Sequence, residues 1–577
     1  MDFIDKDGCQ EYIYSEEYLN LILKYNDRIG IYDYIEPDCI NVLDNFILIA
    51  YKQNSQANFD NLYDYEYNSI PKCFGLMDES VLAETGVERV RNLAGLELTG
   101  RGTLIGFVDT GIDYTNPLFR RKDGATRIKA IWDQNMEALG TGNTVYGYGA
   151  EYTQEDINYA LQNDNPYDVI PQKDENGHGT FLASICAANN DTENQFSGIA
   201  YNSEILVVKL KQAKNNLKDY YLINKQAVCY GEDDIMLGIK YLVEKALSLG
   251  KPLVICLGLG TNQGDHNGNI PLEWYIDSVC SIKGISVVGA GGNEYGYSLH
   301  FTNNSSYINS SNINNIEINV GENDRGFCME IWGNSPSILN ISIVSPSGER
   351  FNKIVPQIND RAIANFLFEG SKVSITNIAV EAASGDQLIF LRFENPASGI
   401  WAIEVSDDYI SGFDAWLPIK EFLNGSTSFL TPDSNVTLCS PANGRSIITT
   451  SGYNHYNNAI YVNSSRGYTR KNRIKPDICA PAVEVYGAFA VNNANSEVLF
   501  TRKTGTSVSA AVTAGIISLI LEWAIVKGNN PIIKNENIKQ MLIRGSKKKY
   551  GIEYPNPIWG WGNIDVLGVF EAMRYGL

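Results

Sequence analysis

The sequence predicts an α/β protein built on a doubly wound parallel sheet, with a small α+β unit ahead of it and an antiparallel β domain inserted within it. Three observations point there. Apolar runs bounded by glycine or polar residues recur at 103–108, 205–210, 253–257 and 285–290, as fully buried parallel strands do. Helical segments at 178–188, 235–249 and 507–526 are interspersed with them, and alternating strands and helices imply a parallel sheet covered on both faces. Between about 301 and 435 the rhythm changes to short alternating or β-branched segments separated by turn clusters, the pattern of an antiparallel sandwich or jelly roll.

In chain order, residues 1–77 come first. Ser15 can cap a helix, with Glu16 and Glu17 in its first turn and apolar residues over 18–25. The apolar segments 39–43 and 46–51 flank Asp44-Asn45 and predict a β-hairpin. The polar, Tyr-rich stretch 54–68 predicts an extended connection. Residues 78–300 form the first part of the α/β domain and 436–577 the second. The insert, 301–435, should hold strands at 316–320, 339–344, 373–380, 387–393 and 401–405, divided by turns such as Ser345-Pro346-Ser347-Gly348 and Ser384-Gly385-Asp386. Because it leaves and rejoins the α/β pattern in one place, it is expected to be a docked, stabilising module outside the active site.

Composition bounds the function. At 577 residues the chain is too long for one ordinary core. Apolar residues at 44%, charged residues at 20% and a mean hydropathy of -0.19 fit a globular protein. A net charge of -21 and a pI near 4.7 repel phosphate, so no nucleic acid partner is expected. No run reaches the roughly 18 apolar residues of a membrane span, so no membrane association is expected. The charged start Met1-Asp2-Phe3-Ile4-Asp5-Lys6 lacks the apolar core of a signal peptide, which predicts cytoplasmic synthesis. The ten cysteines form no C-x-x-C pair, and several lie in apolar runs, so buried free thiols are expected rather than disulfides or zinc. The residues call for no cofactor and no metal; calcium binding stays open.

Few residues can carry chemistry. Of four histidines, only His178 has two flanking glycines and opens a helix; His266, His300 and His455 lie in polar contexts and should be solvated. Asp109 closes an apolar strand, where a carboxylate is costly unless partnered. Asp113 reads better as a turn residue. Ser507 opens a helix rich in small residues; it is either a cap or a nucleophile whose backbone N–H faces a developing oxyanion. Asn293 follows the 285–290 strand and could supply a second donor, or simply end a turn.

Taken together these residues occur in the order Asp109, His178, Asn293, Ser507, and the chain resembles the subtilisin-like serine proteases. Val108-Asp109-Thr110-Gly111, Asn176-Gly177-His178-Gly179-Thr180 and Gly505-Thr506-Ser507-Val508-Ser509-Ala510 resemble that family's Asp, His and Ser motifs. Gly198-Ile199-Ala200 and Lys475-Pro476-Asp477-Ile478-Cys479-Ala480-Pro481 match further family segments. The likeness covers roughly 80–300 and 440–577. It implies a subtilisin-like fold and a serine endopeptidase. Ser507 would attack the scissile carbonyl, His178 would carry the proton, Asp109 would hold the imidazole, and Asn293 with the Ser507 N–H would bind the oxyanion. Cys256, Leu257, Gly258, Leu259 and Gly260 would pair with an extended peptide substrate and form one S1 wall, with Ala290, Gly291 and Gly292 opposite. An esterase of the α/β-hydrolase type needs G-x-S-x-G and another residue order; Ser507 fits neither. Two alternatives remain: a non-catalytic sensor or binding protein on the same scaffold, and a clostridial subtilase with another protein substrate.

The layout, a short leading unit and a β domain between the oxyanion Asn and the Ser, resembles the clostridial Csp germination subtilases. That resemblance implies a spore-associated enzyme that cleaves a cortex-lytic proenzyme. It also implies that residues 1–77 are a propeptide and folding chaperone, a partner the enzyme cuts from itself between about Leu62 and Asp78.

Overall fold

The computed structural model describes residues 9–24, 37–43, 47–54, 65–76, 85–136, 143–191, 193–194, 196–303, 313–354, 360–407, 412–493 and 498–575. Its centre is a sheet with seven parallel strands in the order Ile478–Pro481, Ile448–Asn454, Ile285–Ala290, Leu253–Leu257, Leu104–Asp109, Glu204–Lys209 and Ile128–Asp133. Tyr148–Thr153 then adds antiparallel to Ile128–Asp133. The four strands predicted from the sequence are the four innermost, and all their residues but Glu204 are buried. Helices His178–Ala187 and Thr506–Leu521 pack on one face, and Glu232–Leu249 and Pro271–Cys280 on the other. The chain leaves Leu104–Asp109 towards Glu204–Lys209 on one side and Leu253–Leu257 on the other, and a crevice opens where the order reverses.

Thr506–Val526 is long and apolar enough to cross a membrane, contrary to the composition reading, but 89% of its most apolar window is buried inside the protein. It is the central core helix, apolar all round because it is covered all round.

The leading unit departs from expectation. Tyr18–Lys24 is a strand, and the helix is the shorter Gln10–Tyr14. Tyr18–Lys24 pairs with Ile47–Gln53, which pairs with Cys39–Val42, so the predicted hairpin is present and gains a third strand. Leu19, Leu21 and Leu23 face one hydrophobic cluster and Ile22 the other. With both faces covered the period of two disappears into an apolar run that also suits a helix. Cys9 and Cys39 form a disulfide with Cα atoms 5.7 Å apart. This corrects the free-thiol reading for that pair, since the Gln10–Tyr14 helix folds back over the sheet; the other eight cysteines are free and buried. Of the predicted extended stretch 54–68, residues 55–64 lie outside the described set, and Tyr67–Ser69 is a 3-10 turn.

The insert is a sandwich of two antiparallel sheets. One runs His300–Thr302, Phe413–Trp416, Gly326–Gly333, Gln387–Glu394, Ser371–Ile378 and Asp360–Phe366; the other runs Arg350–Ile354, Leu339–Val344, Gly399–Asp407, Ile313–Val320 and Ser428–Phe429. Ile318, Met329, Ile341, Leu391 and Trp401 meet between them. Along Gln387–Glu394 the side chains alternate: Ile389, Leu391 and Phe393 point into the sandwich, while Leu388 and Phe390 join the core of the α/β domain. The insert therefore docks through the outer face of a fully buried strand. Arg392 reinforces the contact, donating from Nε to Tyr220 O at 2.9 Å and from Nη2 to Asp219 O at 3.0 Å.

Two of the three histidines expected to be solvated are buried where the insert meets the α/β domain. His266 and His300 both stack on Trp416, at centroid distances of 4.1 and 4.7 Å. His266 also bonds Leu438 O and Asn262 O. His455 is buried against Tyr456.

Candidate active site

Asp109 ends the Leu104–Asp109 strand and is buried at the crevice. Its Oδ1 accepts from Thr110 N at 2.7 Å and lies 2.8 Å from His178 Nδ1. His178 is the first residue of its helix, after Gly177 at φ +79°. Two close approaches fix this corner. A Cβ on Gly179 would fall 2.2 Å from Gly111 O, so only glycine lets the helix start against the strand end. Asp174 does the rest: Oδ1 accepts from Gly177 N and Thr110 Oγ1, and Oδ2 from Thr180 N and Thr180 Oγ1, all at 2.6–2.8 Å. A buried carboxylate with four donors is a strong anchor; it satisfies Thr180 N at the start of the His178 helix, while Thr110 Oγ1 accepts from Gly179 N. The sequence reading passed over Asp174. The signal was an acidic residue six positions before a threonine at a helix start. Asp113 is the turn residue expected of it, accepting from Thr115 N and Oγ1.

Ser507 is the second residue of Thr506–Leu521, so its backbone N–H is one of the helix's unspent donors. Thr506 holds it in place. Thr506 N donates to Asn293 Oδ1 at 3.0 Å, and Gly292 N donates to Thr506 Oγ1 at 3.0 Å. By accepting through its amide oxygen, Asn293 is left with its amide nitrogen as the donor end, one residue from Ser507. His178 and Ser507 converge on Gly258: a Cβ there would lie 2.9 Å from His178 Cε1 and 3.2 Å from Ser507 Cβ. Ser507 Oγ is buried and has no hydrogen-bond partner among the described residues. Such contacts often tighten only once substrate is bound.

The structure divides the predicted substrate strand. Cys256 is occupied on both edges, between Phe107 and Val288, and Leu257 on one, beside Gly289. Both are buried, and Cys256 cannot pair with a peptide, because the parallel sheet has taken both its backbone edges. Leu259 and Gly260 do pair with an extended chain, and that chain is the protein's own Cys73–Leu76: Leu259 faces Leu76 and Gly260 faces Gly75. On its other edge, Gly231 faces Cys73 and Tyr230 faces Phe74. Cys73–Leu76 is thus the middle of a three-stranded antiparallel sheet across the crevice. The Tyr230–Gly231 strand was not anticipated, being two residues long with no pattern of its own. On the opposite wall, Gly291 N donates to Thr450 O and Gly292 has φ +110°; Ala290 pairs with Thr450 in the sheet.

The arrangement can therefore place an extended backbone beside a buried carboxylate–imidazole pair, a helix-start serine and a carboxamide. Comparisons with known proteins agree. The model of the subtilase family, Peptidase_S8, matches residues 100–562. The structure of the Clostridium perfringens CspB protease superposes with a TM-score of 0.74 at 30% identity, covering 85% of this chain and 96% of that one. The subtilisin-like protease SBT3.4 of Arabidopsis thaliana is 24% identical over 74% of this chain and 57% of its own length. Serine protease AprX of Bacillus subtilis is 30% identical over 23% of this chain and 31% of its own. This chain thus spans little more than half of the first of these curated relatives and about a third of the second. A match over most of the chain, on a fold whose crevice holds these residues, makes the chain a member of the subtilase family.

Proposed function

We propose that the chain is a self-processing endopeptidase in which Ser507 is the nucleophile, His178 the general base, Asp109 the group that orients it, and Asn293 and the Ser507 N–H the oxyanion donors. Ser507 Oγ attacks the scissile carbonyl as His178 Nε2 takes its proton. The carbonyl oxygen gains charge against the two donors. Collapse expels the amine, which leaves with the proton from His178, and water then releases the acyl group by the same route. Asp109 keeps the proton on Nδ1 and stabilises the imidazolium.

The observation that carries the reading is the leading strand in the crevice. Cys73–Leu76 lies where an extended substrate would, and Leu76 pairs one residue past Gly258, the meeting point of His178 and Ser507. We place the self-cleavage within a residue or two after Leu76, inside the expected window of Leu62 to Asp78. Residues 1–77 are then a propeptide that remains seated and restrains the site, 301–435 a jelly-roll domain, and 78–300 with 436–577 the catalytic domain. The likeness to CspB supports a spore-associated germination role on a cortex-lytic proenzyme, after synthesis in the cytoplasm.

A second reading, a non-catalytic scaffold, is favoured by the missing bond between Ser507 Oγ and the imidazole. A denaturing gel with fluorophosphonate labelling separates the two. Wild-type protein should run as two fragments, the smaller ending near residue 77, and label at Ser507; Ser507→Ala should run as one chain. A single unlabelled wild-type band would overturn the protease mechanism.

A further inference from the structure

Upstream of the strand in the crevice, the leading segment is gripped by groups that a merely packed connection would not need. Lys72 is 0% exposed. Its Nζ donates to Tyr67 O at 2.7 Å and Ile70 O at 2.6 Å, and sits 4.2 Å from the centroid of the Tyr67 ring. Burial lowers its pKa, and the charges of Glu232, Glu330 and Glu381 oppose that shift. A buried ammonium is costly unless opposite charge lies near it; the hydrogen bonds of Lys72 Nζ stay within its own segment, and the carboxylates beside that segment come from two parts of the protein. Glu232, at the start of a catalytic-domain helix, accepts from Lys72 N at 3.0 Å and Leu272 N at 2.9 Å. Glu330 belongs to the insert. Its Oε1 accepts from the Tyr67 hydroxyl, and its Oε2 from Trp332 Nε1 and Gly264 N, both at 3.0 Å. Gly264 lies on the loop leaving the substrate-pairing strand Leu259–Gly260, and Gln263 on the same loop accepts from Cys73 N at 3.0 Å. The Tyr67 ring meets Trp332 edge-on at 5.7 Å and Phe390 at 6.4 Å. Asn68 Nδ2 donates to Glu381 Oε1 at 2.6 Å.

We propose that the insert is part of the substrate cleft: Glu330, Trp332 and Phe390, with Glu232 of the catalytic domain, form a distal acidic and aromatic subsite. It selects protein substrates carrying a lysine four residues before the Leu76 position and an aromatic residue five further upstream. This deepens the proposed function and rests on its reading of Cys73–Leu76 as a bound substrate strand. It also revises the expectation that the insert stands apart from the active site.

The test uses the self-processed full-length protein and internally quenched peptides spanning residues 65–80, with Cys73→Ser throughout. A seated propeptide competes equally with every peptide, so ratios of kcat/KM are independent of how much cleft it occupies. Norleucine in place of Lys72 should lower kcat/KM at least tenfold, and Tyr67→Ala several-fold. The enzyme variant Glu330→Gln should shrink the lysine preference at least threefold; if that variant does not fold, the peptide series on wild type decides. Where the chain is processed but cuts no peptide, rates of self-processing after cell-free synthesis decide instead. Lys72→Met should slow processing at least tenfold and Lys72→Arg should restore most of it. If Lys72 were only packing, replacing a buried charge by an apolar side chain of similar size would be harmless. Lysine and norleucine peptides cleaved within twofold of each other, or Lys72→Met processing at the wild-type rate, would overturn the subsite while leaving the protease mechanism intact. A chain that neither processes itself nor cuts any peptide would overturn both.

Discussion

One methyl group at Gly258 tests the geometry of the crevice most directly. The backbone there is not left-handed, so alanine can adopt it, and any effect is steric. The new Cβ would lie 2.8 Å from Leu182 Cδ1, 2.9 Å from His178 Cε1 and 3.2 Å from Ser507 Cβ. Carbon atoms rest about 3.5–4.0 Å apart, so the imidazole and Leu182 must each give by roughly 0.6–1 Å. Both are 1% exposed, in an interior with no slack to absorb the shift. Overpacking of this kind costs about 1–3 kcal/mol in stability. A displacement near 1 Å at a reacting group costs on the order of 100-fold in rate. Gly258→Ala should therefore melt only a few degrees below wild type, yet process itself and take up fluorophosphonate about 100-fold more slowly. Time courses of the cleaved fragment and of label, with a thermal melt on the same sample, read both quantities. Wild-type labelling in the variant would show that His178 and Ser507 do not meet over Gly258 in the working enzyme.

The other expectations are shorter. Asn293→Ala should lower kcat by about 10²–10³, the usual worth of one oxyanion donor at about 2.7–4 kcal/mol; a loss under threefold would remove Asn293 from the mechanism. Limited trypsin should spare both junctions of the insert, because Leu388, Phe390 and Trp416 are shared with the catalytic core; rapid release of a 301–435 fragment would refute tight docking. His266 should make the protein acid-sensitive. Burial, with His300 and Arg470 nearby, holds its pKa down to about 3, whereas the unfolded chain protonates near about 6.5. The unfolded state therefore binds more protons between those values, so this contribution is intact above about pH 6.5 and is lost as the pH falls towards 3. The slope is about 1.4 kcal/mol per pH unit. His266→Phe, which keeps a ring on Trp416, should flatten urea-denaturation midpoints between pH 4 and 7, and an unchanged slope would assign the acid sensitivity elsewhere.

The four innermost strands were legible because a strand with both edges and both faces covered has nowhere to put polar residues. Ile128–Asp133, Ile448–Asn454 and Ile478–Pro481 lie further out and contain lysine, asparagine, threonine or proline, so their runs are broken. Tyr18–Lys24 failed in the opposite sense. Its alternate residues reach two different cores, and sequence periodicity cannot distinguish a strand buried on both faces from a helix. The histidines were misjudged for a related reason. His266 lies between Asp265 and Asn267 in sequence, but Trp416 of the insert, more than 100 positions away, stacks over it; His300, between Leu299 and Phe301, pairs with the same Trp416 in the insert's sheet.

The site shows the same division between what local sequence encodes and what only assembly creates. Asp109, His178, Asn293 and Ser507 each stand at a strand end or helix start marked by glycines, and those marks are local. Their scaffold is partly local too: Asp174 lies four residues before His178, and Thr506 directly precedes Ser507. What binds the leading strand is not local. Tyr67 reaches Glu330 across 263 positions, Cys73 reaches Gln263 across 190, and Lys72 reaches Glu232 across 160. None of these carboxylates or amides belongs to a motif, and each alone reads as a solvated surface residue. Glu232 and Gln263 meet the leading segment from the α/β domain itself, and Glu330 joins them because the insert leaves the chain just after Asn293 and returns before the Ser507 helix. Its first strand, His300–Thr302, and its last long one, Phe413–Trp416, pair side by side at the crevice, and Phe413–Trp416 pairs in turn with Gly326–Gly333, the strand that carries Glu330. An insertion anchored at that point of the fold is held against the leading segment by its own connections.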